Sequence, residues 1–453
     1  MEAAGTTRAN GNGAPEHRSR MQDMVRSLRH PNFQLFFGGQ LISLIGTWMD
    51  TVAEAWLVYR LTHSSLLLGV ASFAGQIPVF LLAPIGGVVA DRFNRRSVVV
   101  ATQAASMVLA SMLAFLTLTN RVTVVDVITL AALLGAVNAF DIPARQAFLV
   151  DMVGREDLMN AIALNSSMFN GARVIGPSIA GILVAQIGEG WCFFANAVSY
   201  IAVIAGLLMM KIEPKNLAKQ HSVSPWEHVA EGFRFVRNTA PIRAILMLLG
   251  VVSVVGMPYT VLMPIFASQI LHGNADTLGV LMGATGIGAL CGALLLASRR
   301  RVHGLGRWVF VACCGFGAFL ILFALSHWYI VSVALLVPVG FCMMVQMASS
   351  NTLIQAMVPD ELRGRTMAVY SMVFMGVAPV GALFAGALAD RITAPGTVAL
   401  GGAIAILGGA IFARHFPKIR VEARRLILAQ GMAAGEPAQE LNASSVSEAQ
   451  SIS

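Results

Sequence analysis

Long apolar runs separated by short polar breaks dominate this chain. Twelve runs, roughly 33–58, 67–90, 97–119, 123–143, 160–187, 190–210, 242–270, 277–298, 307–326, 328–350, 364–389 and 396–416, come near or above the ~20 residues a helix needs to cross a hydrocarbon core. The breaks carry charges, Gly or Pro. The pattern predicts an all-α membrane protein with twelve transmembrane helices.

Composition agrees. Hydrophobic residues make up 56% and charged residues 12% of 453, about half the charged share of an average soluble domain. The formal charge of +8 does not point to nucleic acid, because the positives alternate with the apolar runs instead of gathering on one face. The partners expected are a lipid bilayer and a small molecule. Residues 1–30 are polar and lack the short apolar core of a signal peptide. The five cysteines all lie in apolar runs, are odd in number and form no C-x-x-C, so they read as packing residues.

The positives orient the spans. With the N-terminus in the cytoplasm, inner segments hold 27 of the 31 Lys and Arg and outer loops hold 3, with Arg173 left inside a span. The positive-inside rule then places both termini in the cytoplasm, with a bacterial inner membrane as the expected location.

The chain also repeats. Residues 152–187 slide by 205 positions onto 357–392 with 12 of 36 identical, including Glu156/Glu361, Gly171/Gly376, Gly176/Gly381 and Gly181/Gly386. The same shift lays Gly87, Arg95 and Arg96 on Gly292, Arg300 and Arg301. Two six-helix halves related by a parallel repeat follow, a transporter design in which substrate binds between the halves. The expected organisation is an N-tail (1–30), a first half (31–210), a cytoplasmic linker (211–241), a second half (242–416) and a C-tail (417–453). In the linker, Ser224-Pro225-Trp226-Glu227 reads as a capping box. Trp226, Val229, Ala230, Phe233 and Val236 recur at helical spacing opposite Glu227, Glu231 and Arg234. That predicts an amphipathic helix on the inner membrane surface; the plainer reading is a solvated linker.

At the end of the second run stands Gly87-Val88-Val89-Ala90-Asp91-Arg92-Phe93-Asn94-Arg95-Arg96. Asp91 can accept hydrogen bonds from the free amides of a neighbouring helix N-terminus, the candidate being the eleventh span near Gly364. Such a contact is an inner gate between the halves; the plainer reading is an ordinary positive anchor. G-x-x-x-D-R-x-x-R-R at this place resembles the loop signature of the major facilitator superfamily. That family has Gly where this chain has Asn94, a mild departure if the position needs a left-handed turn. The second copy lacks the Asp, so the gate is expected to be stronger on the first half.

Three charges fall inside spans. Asp50 and Glu54 are four apart on the first span and share a face. Arg173 lies mid-span in the fifth. A charge at the bilayer centre costs about 2.5–3.5 kcal/mol and is kept where it faces a cavity or a partner. Asp50 and Arg173 are expected to pair, with Asp50 or Glu54 taking up protons as the pairing changes. The alternatives are a fixed structural ion pair, or a Glu54 that simply reaches the outer interface.

Ala172-Arg173-Val174-Ile175-Gly176-Pro177-Ser178-Ile179-Ala180-Gly181 is similar to the fifth-helix antiporter motif of the same superfamily, which goes with exporters. Gly176, Pro177 and Gly181 carry the likeness; a generic small-residue packing face is the other reading. Asp141-Ile142-Pro143-Ala144-Arg145-Gln146, with Gly154-Arg155-Glu156-Asp157-Leu158 and Asn165-Ser166, resembles a subfamily of bacterial drug and siderophore exporters, the enterobactin-exporter-like group. The resemblance covers about residues 30–416 and implies the major facilitator fold, with Arg145 joining Asp91 at the gate.

No P-loop, H-E-x-x-H or G-x-S-x-G is present, and the nine His form no metal cluster. Neither an enzyme nor a cofactor is expected. The reading is a monomeric, proton-coupled exporter of a small amphiphilic compound, a drug or siderophore-like metabolite, working by alternating access. Gln40, Asn138, Asn165, Asn170 and Gln346 are candidate cavity residues. An importer on the same fold, or a sensor or scaffold without flux, remains open.

Overall fold

The computed structural model describes residues 26–211, 225–298 and 304–433. Twelve of its helices are long and apolar enough to cross a membrane. They are α1 (Pro31–Thr62), α2 (Ser65–Arg92), α3 (Arg95–Leu118), α4 (Val124–Val153), α5 (Leu158–Ile187) and α6 (Glu189–Met209), then α7 (Ala240–Ile270), α8 (Ala275–Ala297), α9 (Leu305–Leu325), α10 (Tyr329–Met357), α11 (Asp360–Ile392) and α12 (Ala394–Ala433). A further helix, Pro225–Asn238, lies between α6 and α7. With twelve spans, the chain enters and leaves at the same end of the bundle, hereafter the terminus end; the other is the far end.

Local signals set the boundaries. The Ser64 side chain caps α2 by accepting from the Leu67 amide at 3.3 Å. Thr123 and Asp126 form a reciprocal capping box at the start of α4. Asn94 caps α3, accepting from the Ser97 amide at 3.2 Å with an extended backbone. The left-handed turn expected at Asn94 is therefore absent, because the residue starts a helix there.

Small residues decide which helices meet. In the first half, Gly86 of α2 lies against the Ala139 carbonyl of α4, and Gly135 of α4 against Gly75 of α2. In the second half, Gly288 of α8 and Gly340 of α10 do the same against Val337 and Thr285. The pair α2·α4 is thus repeated as α8·α10, as the internal repeat requires. Close approach of this kind brings van der Waals contact where lipid offers no hydrophobic drive between helices.

Two helix pairs carry most of the contact between the halves: α2 with α11, and α5 with α8. Gly69 packs on Ala382 and Leu383, and Gly386 on Ser65 and Leu66, both towards the far end. Gly181 packs on Ala275 and Gly279, Gly283 on Ser178, and Gly286 on the Arg173 carbonyl. The deepest of these glycine approaches are Gly286 on Arg173 and Gly376 on Phe80, near the middle of the spans. Towards the termini, Gly87 and Gly364 face open space, and Met159, Ile162 and Leu294 are exposed. The halves are closed at the far end and splayed at the terminus end.

The helix Pro225–Asn238 packs on α11. Gly232 sits against the Arg365 carbonyl and Val369 of α11, Val236 is buried, and Glu231 pairs with Arg365, while Phe233 is exposed. Gly232 permits a backbone approach that turns the 232/236 face onto protein. Ser224 of the expected capping box, the side chains of Trp226, Glu227 and Val229, and Arg300 and Arg301 of the second loop copy lie outside the described residues.

Candidate functional site

The gate residues do not act as one group in this conformation. Asp91 and Arg92 are exposed, and no ion pair of Asp91 occurs among the described residues. Arg95 donates to Asp151 at 3.0 Å and to the Ala147 carbonyl at 3.3 Å, both on α4. Arg96 donates to the Leu208 carbonyl at the end of α6 at 2.8 Å. Both arginines are therefore held within the first half. Arg145 does not join Asp91: it pairs with Asp141 one turn earlier at 3.2 Å. Asp141 is 2% exposed and also accepts from Thr102 at 2.8 Å and Gln103 at 2.9 Å. A carboxylate that deep needs donors, and Arg145 is the near cation. The expected contact of Asp91 with the start of α11 is missing because the halves stand apart there.

Near the same end, Asp157 ties the turn before α1 to α5. It accepts from Arg26 and lies 2.7 Å from His30 Nε2. Those partners, His30 first, hold its carboxyl below the usual aspartate range.

The in-span charges form two separate sites. Asp50 on α1 is 6% exposed and faces α6, where Asn196 and Tyr200 are its polar neighbours. Gly46 makes that possible: a side chain there would meet Asn196 Oδ1 at 2.7 Å and Ser199 Oγ at 2.8 Å. Asp50 Oδ1 has no hydrogen-bond partner among the described residues. Glu54, one turn on and half-buried, lies within reach of the Asp50 charge.

Arg173 is elsewhere. Its guanidinium carbon lies 5.6 Å from the centroid of the Trp48 ring, and no ion pair among the described residues includes it. The expected Asp50–Arg173 pair is therefore not formed. The reason is helical phase: Asp50 points at α6, whereas the Arg173 guanidinium lies over Trp48 of α1. Phe169, 46% exposed, meets Trp48 edge-on at 5.6 Å. From the other half, Tyr259 neighbours Thr285, which adjoins the Gly286 that meets the Arg173 carbonyl. A cation–π contact is worth about 0.5–2 kcal/mol, less than the ~2.5–3.5 kcal/mol that a mid-span Arg costs. Trp48 alone leaves the charge undercompensated.

Of the amide candidates, Gln40 and Gln346 are fully buried in helix packing and line no open space in this conformation. Asn138, Asn165 and Asn170 are half-buried, and Asn170 donates back to the Ser166 carbonyl at 2.8 Å. Gly176 packs against Trp48 and Ile45 of α1, and Gly181 against α8, so the Gly176-Pro177-Gly181 segment serves a contact within the first half and one between the halves.

Sequence reasoning missed one contact between the halves. The Asp390 carboxylate, at the far end of α11, accepts from the Ser65 amide at the start of α2 at 3.2 Å. A signal was available: Gly386-Ala387-Leu388-Ala389-Asp390-Arg391 and Gly87-Val88-Val89-Ala90-Asp91-Arg92 share G-x-x-A-D-R. Their offset is not the repeat's 205, so the internal alignment does not superpose them. Trp48, Tyr259, Asn196 and Tyr200 were also missed, since only packing assigns their partners.

A family model described as transmembrane secretion effector matches residues 24–445. The chain belongs to that family. It is a multi-pass membrane transporter of the major facilitator superfamily, not an enzyme. Relatives include the Staphyloferrin A transporter of Staphylococcus aureus, 24% identical over 78% of this chain and 89% of that protein. The multidrug efflux pump Tap of Mycolicibacterium fortuitum is 27% identical over 88% of this chain and 98% of that protein. The enterobactin exporter EntS of Shigella boydii is 26% identical over 80% of this chain and 86% of that protein. Among solved structures, the nucleoside transporter NupG superposes with a TM-score of 0.65 at 12% identity, over 86% of this chain and 99% of that one. A peptide-bound POT family transporter gives 0.68 at 11%, over 85% and 96%. At such identities the structures share the fold.

Proposed function

We propose that this family member exports a small amphiphilic compound, drug-like or siderophore-like, in exchange for protons and by alternating access. The observation that carries the proton arm is the Asp50–Glu54 pair, with Asp50 buried among neutral groups such as Asn196 and Tyr200 and no cation paired with either carboxylate among the described residues. A carboxylate pair of that kind can take up and release a proton as its surroundings change. Export is supported by the efflux activities named for Tap and EntS and by the exporter-like Gly176-Pro177-Gly181 segment. The chain works as a monomer in a bacterial inner membrane, with two halves (31–210 and 242–416) joined by the 211–241 linker. The terminus end faces the cytoplasm, in keeping with the 27 Lys and Arg on that side.

In this cycle the observed conformation is the one that admits substrate from the cytoplasm. Release outward requires the α2–α11 and α5–α8 contacts at the far end to part and Asp91 to reach the α11 N-terminus.

Everted vesicles test the reading. Acidifying their lumen should drive uptake of a transported compound, and adding that compound should collapse part of the pH gradient. Asp50→Asn or Glu54→Gln should abolish the gradient-driven component and leave downhill exchange. Gradient-driven uptake that survives the double variant would remove these carboxylates from the coupling.

A further inference from the structure

The Arg173 seam carries more than a packing contact. The Arg173 carbonyl lies against Gly286 of α8, at the boundary of the halves, while its guanidinium lies over Trp48 of α1. Around it are a Trp48 face at 5.6 Å, with Phe169 edge-on beyond, and Tyr259 from α7. Tyr259 is 2% exposed, and its hydroxyl has no partner in hydrogen-bond geometry among the described residues. Thr285, which donates to the Leu281 carbonyl at 3.1 Å, is a polar neighbour of that hydroxyl and can accept from it. The stretch that presents Tyr259 is irregular. Wide π-type turns at Val252–Gly256 and Phe266–Ile270 flank it, with Pro258 just before the tyrosine. Such turns are frequent at functional sites.

We propose that Arg173, Trp48 and Tyr259 form a subsite for an anionic group attached to an aromatic ring. The guanidinium lacks an acidic partner among the described residues and would bind a carboxylate or sulfonate. The tyrosine hydroxyl, a donor supplied by the opposite half, would bond a second oxygen of the same group. Trp48 and Phe169 offer ring faces and edges to the aromatic body. Phe169 is one turn nearer the terminus end, which is splayed, so the ring would enter from that side. Because Arg173 belongs to one half and Tyr259 to the other, an anion held by both bridges the seam. Parting α5 from α8 would break that bridge, which couples release to the opening of the far end. The proposal deepens the export reading by naming a substrate class, and it rests on that reading only for the direction of delivery.

The test is a binding measurement with no transport step. Purified protein in nanodiscs is titrated calorimetrically with 1-naphthoate and with the uncharged isostere 1-naphthamide. The wild type should bind the carboxylate at least about tenfold more tightly than the amide. Arg173→Gln should erase that preference while leaving the amide's affinity unchanged. Tyr259→Phe should weaken naphthoate alone, by a few-fold. Trp48→Leu should weaken both compounds together. A monodisperse elution profile for each variant excludes misfolding, and Arg173→Lys, which keeps the charge, should retain part of the preference. Equal binding of acid and amide by the wild type, no binding of either, or naphthoate binding unaltered in Arg173→Gln would overturn the subsite. If binding follows the expected pattern but everted vesicles show no proton-driven uptake, the export reading fails and the subsite stands.

Discussion

The two ends of the α2–α11 pair carry the same chemical device in different states. At the far end, Asp390 terminates α11 and accepts from the free Ser65 amide that opens α2. At the terminus end, Asp91 terminates α2 and is exposed, with Gly364 in the first turns of α11 facing open space. Each carboxylate follows the same G-x-x-A-D-R run, and each stands at the end of its helix where the other helix begins, the positive end of that helix's dipole. Local sequence is therefore not what distinguishes a closed end from an open one. The distinction lies in the global arrangement of the halves, and under the proposed alternating access one device would engage at a time. Glycines shape the far-end contact as well: Gly69 and Gly386 place the helix backbones close enough for a carboxylate to reach an amide.

The largest expected effect comes from wedging the far end. A side chain at Gly69 would meet the Ala382 carbonyl at 2.6 Å and Leu383 Cα at 3.2 Å, both backbone atoms that cannot swing aside. Gly69→Leu should drive the α2 and α11 far ends apart, a population shift of about five- to 150-fold for a cost of some 1–3 kcal/mol. Spin-label distances across the far ends check this. Unchanged distances would mean that the close packing does not hold this end shut.

Next is the hydrogen bond itself. Ser65 is the first residue of α2, a position that suits proline, so Ser65→Pro removes the donor amide without disturbing helix geometry. Losing a bond of this kind should shift the same equilibrium by about 1 kcal/mol, or roughly fivefold. Asp390→Ala should match it, and the two changes combined should add nothing further. Additive effects would show that the residues act separately.

Asp91→Asn should do the opposite. Asp91 makes no ion pair among the described residues here, so the variant leaves the present conformation untouched and destabilises only the alternative one. The expectation is a bias towards the terminus-open state of at most about 1 kcal/mol, since the site is exposed. Pairing Asp91→Asn with Ser65→Pro should restore wild-type distances. A double variant that behaves like either single one would break the symmetry of the two ends.

Much of this architecture was legible beforehand. Span number and approximate limits follow from run lengths that water would not tolerate, and the parallel repeat shows in the glycines that pack α5 and α11. Asp50 and Arg173 were identifiable as unusual because charge in an apolar run is costly. Their partners were not, because a helix offers several faces and only packing selects one: Gly46 turns Asp50 towards Asn196, and Gly286 sets Arg173 against the opposite half. Arg145 was misassigned for a related reason. A cation at a membrane boundary reads as a gate residue until Asp141, buried one turn away, is seen to claim it. The state of the gate was illegible in principle, since one sequence serves both conformations.

The smallest effect concerns what distinguishes the terminus end from its counterpart. The Arg365 side chain, two turns into α11, pairs with Glu231 of the Pro225–Asn238 helix, whose Gly232 lies on the Arg365 backbone. Among the described residues, the far end of α11 carries no comparable strap. Glu231→Gln should therefore cost about 0.2–1 kcal/mol, the range for exposed pairs, and the effect should fade in high salt. Gly232→Ala should cost more, because its added methyl would press on the Arg365 carbonyl at 2.6 Å. If hydrogen exchange in the first turns of α11 rises in both variants, more in Gly232→Ala, the linker helix steadies the partner that Asp91 must find. If exchange rises only with Glu231→Gln, the ion pair alone holds the strap. The close backbone approach would then be incidental to how the two ends differ.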